Sequence, residues 1–360
     1  MEDRRYSLLL HGFDTLQCAY YLQSKPNAIF DFRELAIRKE GLRGRKAKDP
    51  EMVEIGEELF HLYPHGTSSG YPLLLSGGDF KMECGEFNNP SFFVTFKSQA
   101  LWRTSAYELH GKFLAWAISV GLVPTREETL SRVDYAFDYH LPEIDFNEDC
   151  FVSRSSKDSQ HREHGKVQTF TLGRGDIILR VYDKVAEISE QSDKVWFFDL
   201  WGRDQDVWRI EWQVRKPVLR ELGIVTFEDL RLAYGDLLRH LSEQHTTLRI
   251  PGNDPNRSRW PLHPLWIDLQ ERIGELDKIG VCRVDGRDAV LEERKIRIAI
   301  SVLGYLKRLA AIVCVQEQTG GISYPDAFGR LRICLDKVHD ELNWANDVQR
   351  RVESIECGEW

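Results

Sequence analysis

Hydrophobic and polar positions alternate most strictly in three short segments, residues 132–140, 178–184 and 208–215. Side chains alternate across a β-strand, so each segment predicts a strand with one apolar and one polar face. In the first, Arg132, Asp134, Asp138 and His140 share a face, and Val133, Tyr135, Phe137 and Tyr139 share the other. In the second, Arg180, Tyr182 and Lys184 line up together. In the third, Arg209, Glu211, Gln213 and Arg215 oppose Trp208, Ile210, Trp212 and Val214. If these strands are neighbours in one sheet, a single surface collects carboxylates, a phenol and cations. That is the equipment for metal-assisted chemistry on a phosphodiester.

The same reading along the rest of the chain gives a first strand at Tyr6 to Leu10 and a helix from Asp14 to Leu22. A polar, basic stretch then runs to Pro50. Strands are expected at Tyr71–Leu75, Phe80–Phe87 and Ser91–Phe96, with Gly77-Gly78 and Asn88-Asn89-Pro90 as turns. Ser105 and Glu108 have capping-box spacing for a helix to Val120, whose apolar stripe includes Leu109, Phe113 and Trp116. An acidic loop (142–149) and a polar stretch (153–165) precede the strand Val167–Leu172. The turn 173–176 then leads into the Tyr182 strand as a hairpin.

Beyond Thr226, which caps a helix to Leu241, the period becomes helical. Residues 250–264 are rich in Pro, Asn and Arg, and helical patterns follow at 265–276, 289–316 and 324–355. The expectation is an α+β protein: an antiparallel-sheet domain (1–247), a linker (248–264) and a helical C-terminal region (265–360).

Composition narrows the function classes. A chain of 360 residues, 42% hydrophobic with 10 Trp, supports one large or two medium domains. The net charge of −9 argues against non-specific coating of nucleic acid, although local patches matter more than the sum. Two such patches are Arg38 to Lys48 and residues 249–260, which hold Arg257 and Arg259. Seven scattered Cys, none in a CxxC pair, read as reduced thiols of a cytoplasmic protein. The apolar run 296–315 is interrupted by Arg297, Lys307 and Arg308, which predicts no membrane contact. Its stripe must be covered by this chain or by a second copy in a homodimer. Gly66 to Gly70 lacks the Gly-Lys-Ser/Thr ending of a P-loop, so no ATPase signature is present. His161 and His164, like His61 and His65, read as surface residues.

In order and spacing, Arg132-x-Asp134 with Asp138, Leu172-Gly173-Arg174 with Leu179-Arg180-x-Tyr182-Asp-Lys184, and Arg209-x-Glu211 resemble the replication initiation factor family, Rep_trans. The resemblance spans residues 71–241. It implies a fold distantly like that of HUH nucleases, with acidic residues replacing the paired histidines. It also implies a rolling-circle replication initiator or relaxase that nicks origin DNA at a single-stranded or extruded site. Tyr182 would be the nucleophile, leaving a 5′-phosphotyrosyl link and a free 3′-OH. Asp134, Asp138 and Glu211 would hold Mg²⁺ or Mn²⁺, and Lys184 would stabilise phosphate or phenolate charge. Host helicase and polymerase would be partners.

The residues themselves support part of this. A phenol with a pKa near ~10 is a poor nucleophile at neutral pH and needs a metal, cation or base beside it. Hard divalent ions prefer carboxylate oxygens. Arg132, Arg174, Arg180, Arg209, Arg257 and Arg259 are the DNA-binding candidates. The same face also admits a structural ion-pair cluster, in which Arg132 or Arg209 separates the carboxylates. At the level of function, the rivals are a non-catalytic origin-binding or copy-control protein and a carboxylate hydrolase such as a glycosidase.

Overall fold

The computed structural model describes residues 6–155, 157–163, 166–280 and 286–356. Cys282, Cys357 and His164, assigned above as thiols and a surface histidine, lie outside these residues. Eleven strands form one sheet: β1 (Ser7–Tyr20), β2 (Glu51–Ile55), β3 (Glu58–Leu62), β4 (Leu73–Ser76), β5 (Phe80–Cys84), β6 (Phe92–Phe96), β7 (Thr129–His140), β8 (Asp158–Glu163), β9 (Lys166–Leu172), β10 (Ile177–Asp183) and β11 (Val207–Arg215). Their order is β8-β9-β10-β11-β7-β1-β6-β5-β4-β3-β2, and every neighbouring pair is antiparallel. With helices packed on this sheet and more at the C-terminal end, the protein is α+β.

The helices used below are α1 (Phe32–Gly44), α2 (Ser98–Arg103), α3 (Ala106–Ser119), α4 (Trp196–Trp201), α5 (Phe227–Arg239), α6 (Pro264–Gly274), α7 (Gly286–Glu317), α8 (Tyr324–Val338) and α9 (Glu341–Glu356). Capping chemistry sets two starts. Ser105 and Glu108 close a reciprocal box on α3, and Thr226 and Asp229 do the same on α5. Each cap side chain is worth about 1 kcal/mol.

The helix expected from Asp14 to Leu22 is instead the second half of β1. Leu16, Cys18 and Tyr20 are buried at every second position, and Leu16 to Tyr20 pair with β6. Sheet pairing on both edges overrides the local helical reading. The pairing of β1 with β7 slips between Phe13 and Thr15, which leaves Asp14 as the extra residue of a bulge. The hairpin β2–β3 falls in a region not assigned to strands, because its apolar positions are few and short. The basic stretch is largely helix α1, and its charges are locally paired: Arg38 with Glu34 and Glu51, Arg43 with Glu40, Arg45 with Glu51. The polar stretch before β9 supplies edge strand β8, which pairs with β9.

The apolar face of the central strands meets α5 and α6. Tyr135 stacks near Tyr234 at 6.2 Å, Trp212 meets Trp266 edge-on at 5.7 Å, and the Tyr139 hydroxyl donates to Asp268 at 2.9 Å. The first compact unit therefore runs through Met1–Val284, well past the expected end at residue 247. The expected linker is part of this fold: Arg249 bridges to Leu262, and Leu265, Trp266, Leu269 and Ile273 are fully buried in the same core. Polar composition concealed a segment fixed by backbone and aromatic contacts.

The second unit, Asp285–Trp360, comprises α7, α8 and α9. The helical pattern 324–355 is divided between α8 and α9 around His339. In α7 Leu306 and Val313 are buried, while Ile300 and Leu303 are 46% and 39% exposed. Residues Ile298–Glu317 are long and apolar enough to cross a bilayer, with Lys307 and Arg308 at mid-length.

Candidate functional site

The three alternating segments are β7, β10 and β11, and they are adjacent. Cross-strand register places Tyr182 opposite Arg209, Arg180 opposite Glu211, Arg209 opposite Asp138, and Gln213 opposite Asp134. Directly opposed residues share a face, so the expected polar surface assembles. The hairpin joining β9 to β10 depends on Gly173 at φ +97°, where an added Cβ would lie 2.3 Å from the Ile177 carbonyl oxygen. Arg174 is exposed on that turn.

One end of the surface is roofed. The Arg209 guanidinium, fully buried, forks onto Asp138: Nε donates to Oδ1 at 2.6 Å and Nη2 to Oδ2 at 2.8 Å. Trp201 on α4 donates to Asp138 Oδ2 at 2.9 Å. Phe197, Trp201, Ile188 and Val207 form a separate apolar cluster here, and Arg209 lies 4.5 Å from the Phe197 ring centre. Arg209 Nη1 donates to Asp14 Oδ1 at 2.8 Å, and the same oxygen accepts from Ser98 and Trp102 of α2, both at 2.9 Å. Burial alone would raise the Asp14 pKa. The charges of Arg209, Lys194 and Lys184 outweigh it and hold the carboxyl below the usual range.

Asp14 is the residue that sequence reading missed. An aspartate inside a β-favouring run was the available signal, but assigning the segment to a helix hid it. The bulge in β1 brings it to Arg209.

The other end is open. The Tyr182 hydroxyl donates to Glu211 Oε2 at 3.1 Å, and Arg180 Nη1 reaches Glu211 Oε1 at 3.4 Å. Burial, then the Glu211 charge, push the Tyr182 phenol well above its ordinary value. Arg132 forks onto Asp134, with Nε to Oδ1 at 2.7 Å. Asp134 is 2% exposed, and its pKa is pushed up to about 6. Burial is the main cause, with help from Glu211 and opposition from Arg132. A cleft of about 360 Å³ opens here, lined by Arg132, Arg180, Tyr182 and Glu211 on the sheet and by Glu187 and Glu190 beyond β10.

Lys184 is buried and is not among the residues that line that cleft. Its ammonium pairs with Glu187 and lies 5.5 Å from the Tyr182 ring centre and 5.4 Å from that of Phe197. Burial, then the Arg209 charge, lower its pKa. Its ammonium is buried and paired with Glu187 rather than open to the cleft. Arg209 is likewise enclosed as a structural cation. Arg257 donates to the carbonyl oxygens of Asp149 and Phe151, so it fastens a loop. Arg259 is mostly exposed and lies 3.6 Å from Asp254.

The three-carboxylate metal set does not assemble. Asp138 is fully buried and already accepts three donors, and among the described residues no group of three or more His, Cys, Asp or Glu is placed to hold an ion. Asp134 and Glu211 remain. They are hard oxygen donors on adjacent strands, each held by an arginine with about a third of its side chain exposed. Two carboxylates completed by water and phosphate oxygens are a normal Mg²⁺ set.

No family model matches the chain, and no curated protein matches it. Among solved structures it is similar to a rolling circle replication initiator protein from Geobacillus stearothermophilus. That likeness has a TM-score of 0.47 at 19% identity, over 77% of this chain and 99% of the other.

Proposed function

We propose that this chain is a site-specific DNA-nicking and strand-transfer endonuclease, of the kind that initiates rolling-circle replication or mobilises a plasmid, phage or integrative element. The observation that carries the reading is the Tyr182 hydroxyl donating to Glu211 at 3.1 Å inside a cleft flanked by Arg132 and Arg180. A phenol, an acceptor for its proton and two forked cations are what a tyrosine needs to attack a phosphodiester. With acidic residues where paired histidines would stand, it is also a reading of the fold as distantly HUH-nuclease-like.

In the proposed step, Tyr182 Oη attacks phosphorus and its proton passes to Glu211. The P–O3′ bond breaks as the P–Oη bond forms, and the departing 3′ oxygen takes a proton from solvent water and becomes the primer hydroxyl. Arg132 and Arg180 leave their carboxylates to meet the charge gathering on the phosphoryl oxygens. Asp134 and Glu211 would hold Mg²⁺ or Mn²⁺, which supplies polarisation of a phosphoryl oxygen when bound. Arg209, anchored by Asp14 and Asp138, keeps β11 and hence Glu211 in register with Tyr182.

The test is incubation with single-stranded origin DNA of the chain's own replicon. Wild type should form a covalent adduct mapping to Tyr182, and Tyr182→Phe should bind the DNA without forming it. An adduct at full yield in the variant would exclude Tyr182. Binding without any adduct in wild type would favour the copy-control reading.

A further inference from the structure

The cleft is lined mostly by polar side chains, and its charge is divided along the strand axis. Register gives the sequence of levels. Arg132 lies at one end, Arg180 and Glu211 come next with Thr171 beside them, then Tyr182 with Thr169. Past Tyr182 come Gln168 and the helical turn that carries Glu187 and Glu190. Gln168 Nε2 donates to Glu190 Oε1 at 3.2 Å, joining β9 to that turn. Glu187 is neutralised by Lys184, whereas Glu190 has no cationic partner among the described residues.

A nucleotide has the matching asymmetry. Its phosphate is repelled by Glu190 and attracted to Arg132 and Arg180. Its base edge meets a carboxylate and an amide, groups that accept from exocyclic amino protons. At about 360 Å³ the cleft is at the small end of ligand sites, which run from roughly 300 Å³. It suits one extruded nucleotide and excludes a duplex.

We infer that the Gln168–Glu190 end of the cleft is a base-reading pocket for one nucleotide adjoining the scissile phosphate, and that it selects a base with an exocyclic amino group. This rests on the reading of Tyr182 as nucleophile. Cytosine, adenine and guanine each offer Glu190 an amino donor. Thymine offers only its ring N3–H, flanked by two carbonyl oxygens that the carboxylate repels, and is selected against. Entry of the base exchanges the Gln168–Glu190 hydrogen bond for bonds to its edge, so recognition leaves neither side chain unpaired.

The experiment uses the full chain and a pool of single-stranded oligonucleotides randomised at every position. Both the protein-linked and the released fragments of the adducts are sequenced. Wild type should deplete thymine at one position next to the linked phosphate by roughly five- to hundredfold, the range of a single paired base contact. Glu190→Gln, which keeps the shape of an exposed side chain while replacing one acceptor by a donor, should admit thymine there and leave other positions unchanged. Adducts with thymine at full frequency, or a Glu190→Gln profile identical to wild type, would overturn the pocket while leaving the tyrosine reading intact. Absence of adducts in wild type would overturn both.

Discussion

Asp134→Asn isolates the energetic cost of keeping a carboxyl ready in the site. The Asp134 pKa rises from 3.8 to about 6 on folding, mainly through burial. A folded-state pKa above the unfolded one means the folded state holds the proton more tightly. The resulting stability is therefore fully present below pH 3.8 and is lost as pH rises through about 6. At about 1.4 kcal/mol per unit, the shift amounts to about 3 kcal/mol at pH 8 and roughly half of that at pH 5. Asparagine carries no such cost. The Arg132 fork is already contained in that net shift, since its hydrogen bond and charge are among the causes that hold the value down to about 6.

The variant should therefore be more stable than wild type by about 3 kcal/mol at pH 8, shrinking to about 1.5 kcal/mol at pH 5. Urea unfolding followed by tryptophan fluorescence in metal-free buffer, at intervals from pH 5 to pH 8, measures the difference. A variant less stable than wild type at pH 8, or a difference independent of pH, would refute the reasoning and show that the Arg132 pair outweighs burial.

Three further outcomes follow from the same geometry. Arg209→Leu should destabilise the first unit by about 3–5 kcal/mol in the same unfolding assay, because it leaves Asp138 and Asp14 buried without their cation; a loss under about 1 kcal/mol would mean that the two carboxylates find other partners or protonate freely. Arg257→Ala should lower stability by about 1.5–3 kcal/mol, as expected for hydrogen bonds from a charged donor, while anisotropy with single-stranded DNA and its salt slope stay unchanged; weaker binding with normal unfolding would restore Arg257 to the DNA surface. EDTA should stop adduct formation, Mn²⁺ should restore it, and Asp134→Ala should raise the Mn²⁺ concentration needed for half-maximal rate; undiminished adduct yield in EDTA would leave the arginines as the whole of the positive charge.

The sequence by itself determined the parts with a strict period of two and their contents. Strands β7, β10 and β11, their inward and outward faces, the capped helices α3 and α5, and the grouping of Asp134, Tyr182, Glu211 and Arg180 on one surface were all legible. A two-residue repeat admits only two faces, and each cap is a local bond between residues three apart. Tertiary structure decided what each charge does. Asp138 and Glu211 read alike along their strands, yet the Trp201 roof encloses one and the other lines the cleft. Asp14 joins the site only because β1 pairs on both edges and bulges there. Arg257 and α6 belong to the first unit through carbonyl and tryptophan contacts with residues about a hundred and about fifty positions away, respectively. Those are long-range partners, and neither periodicity nor composition encodes which buried carboxylate meets which arginine.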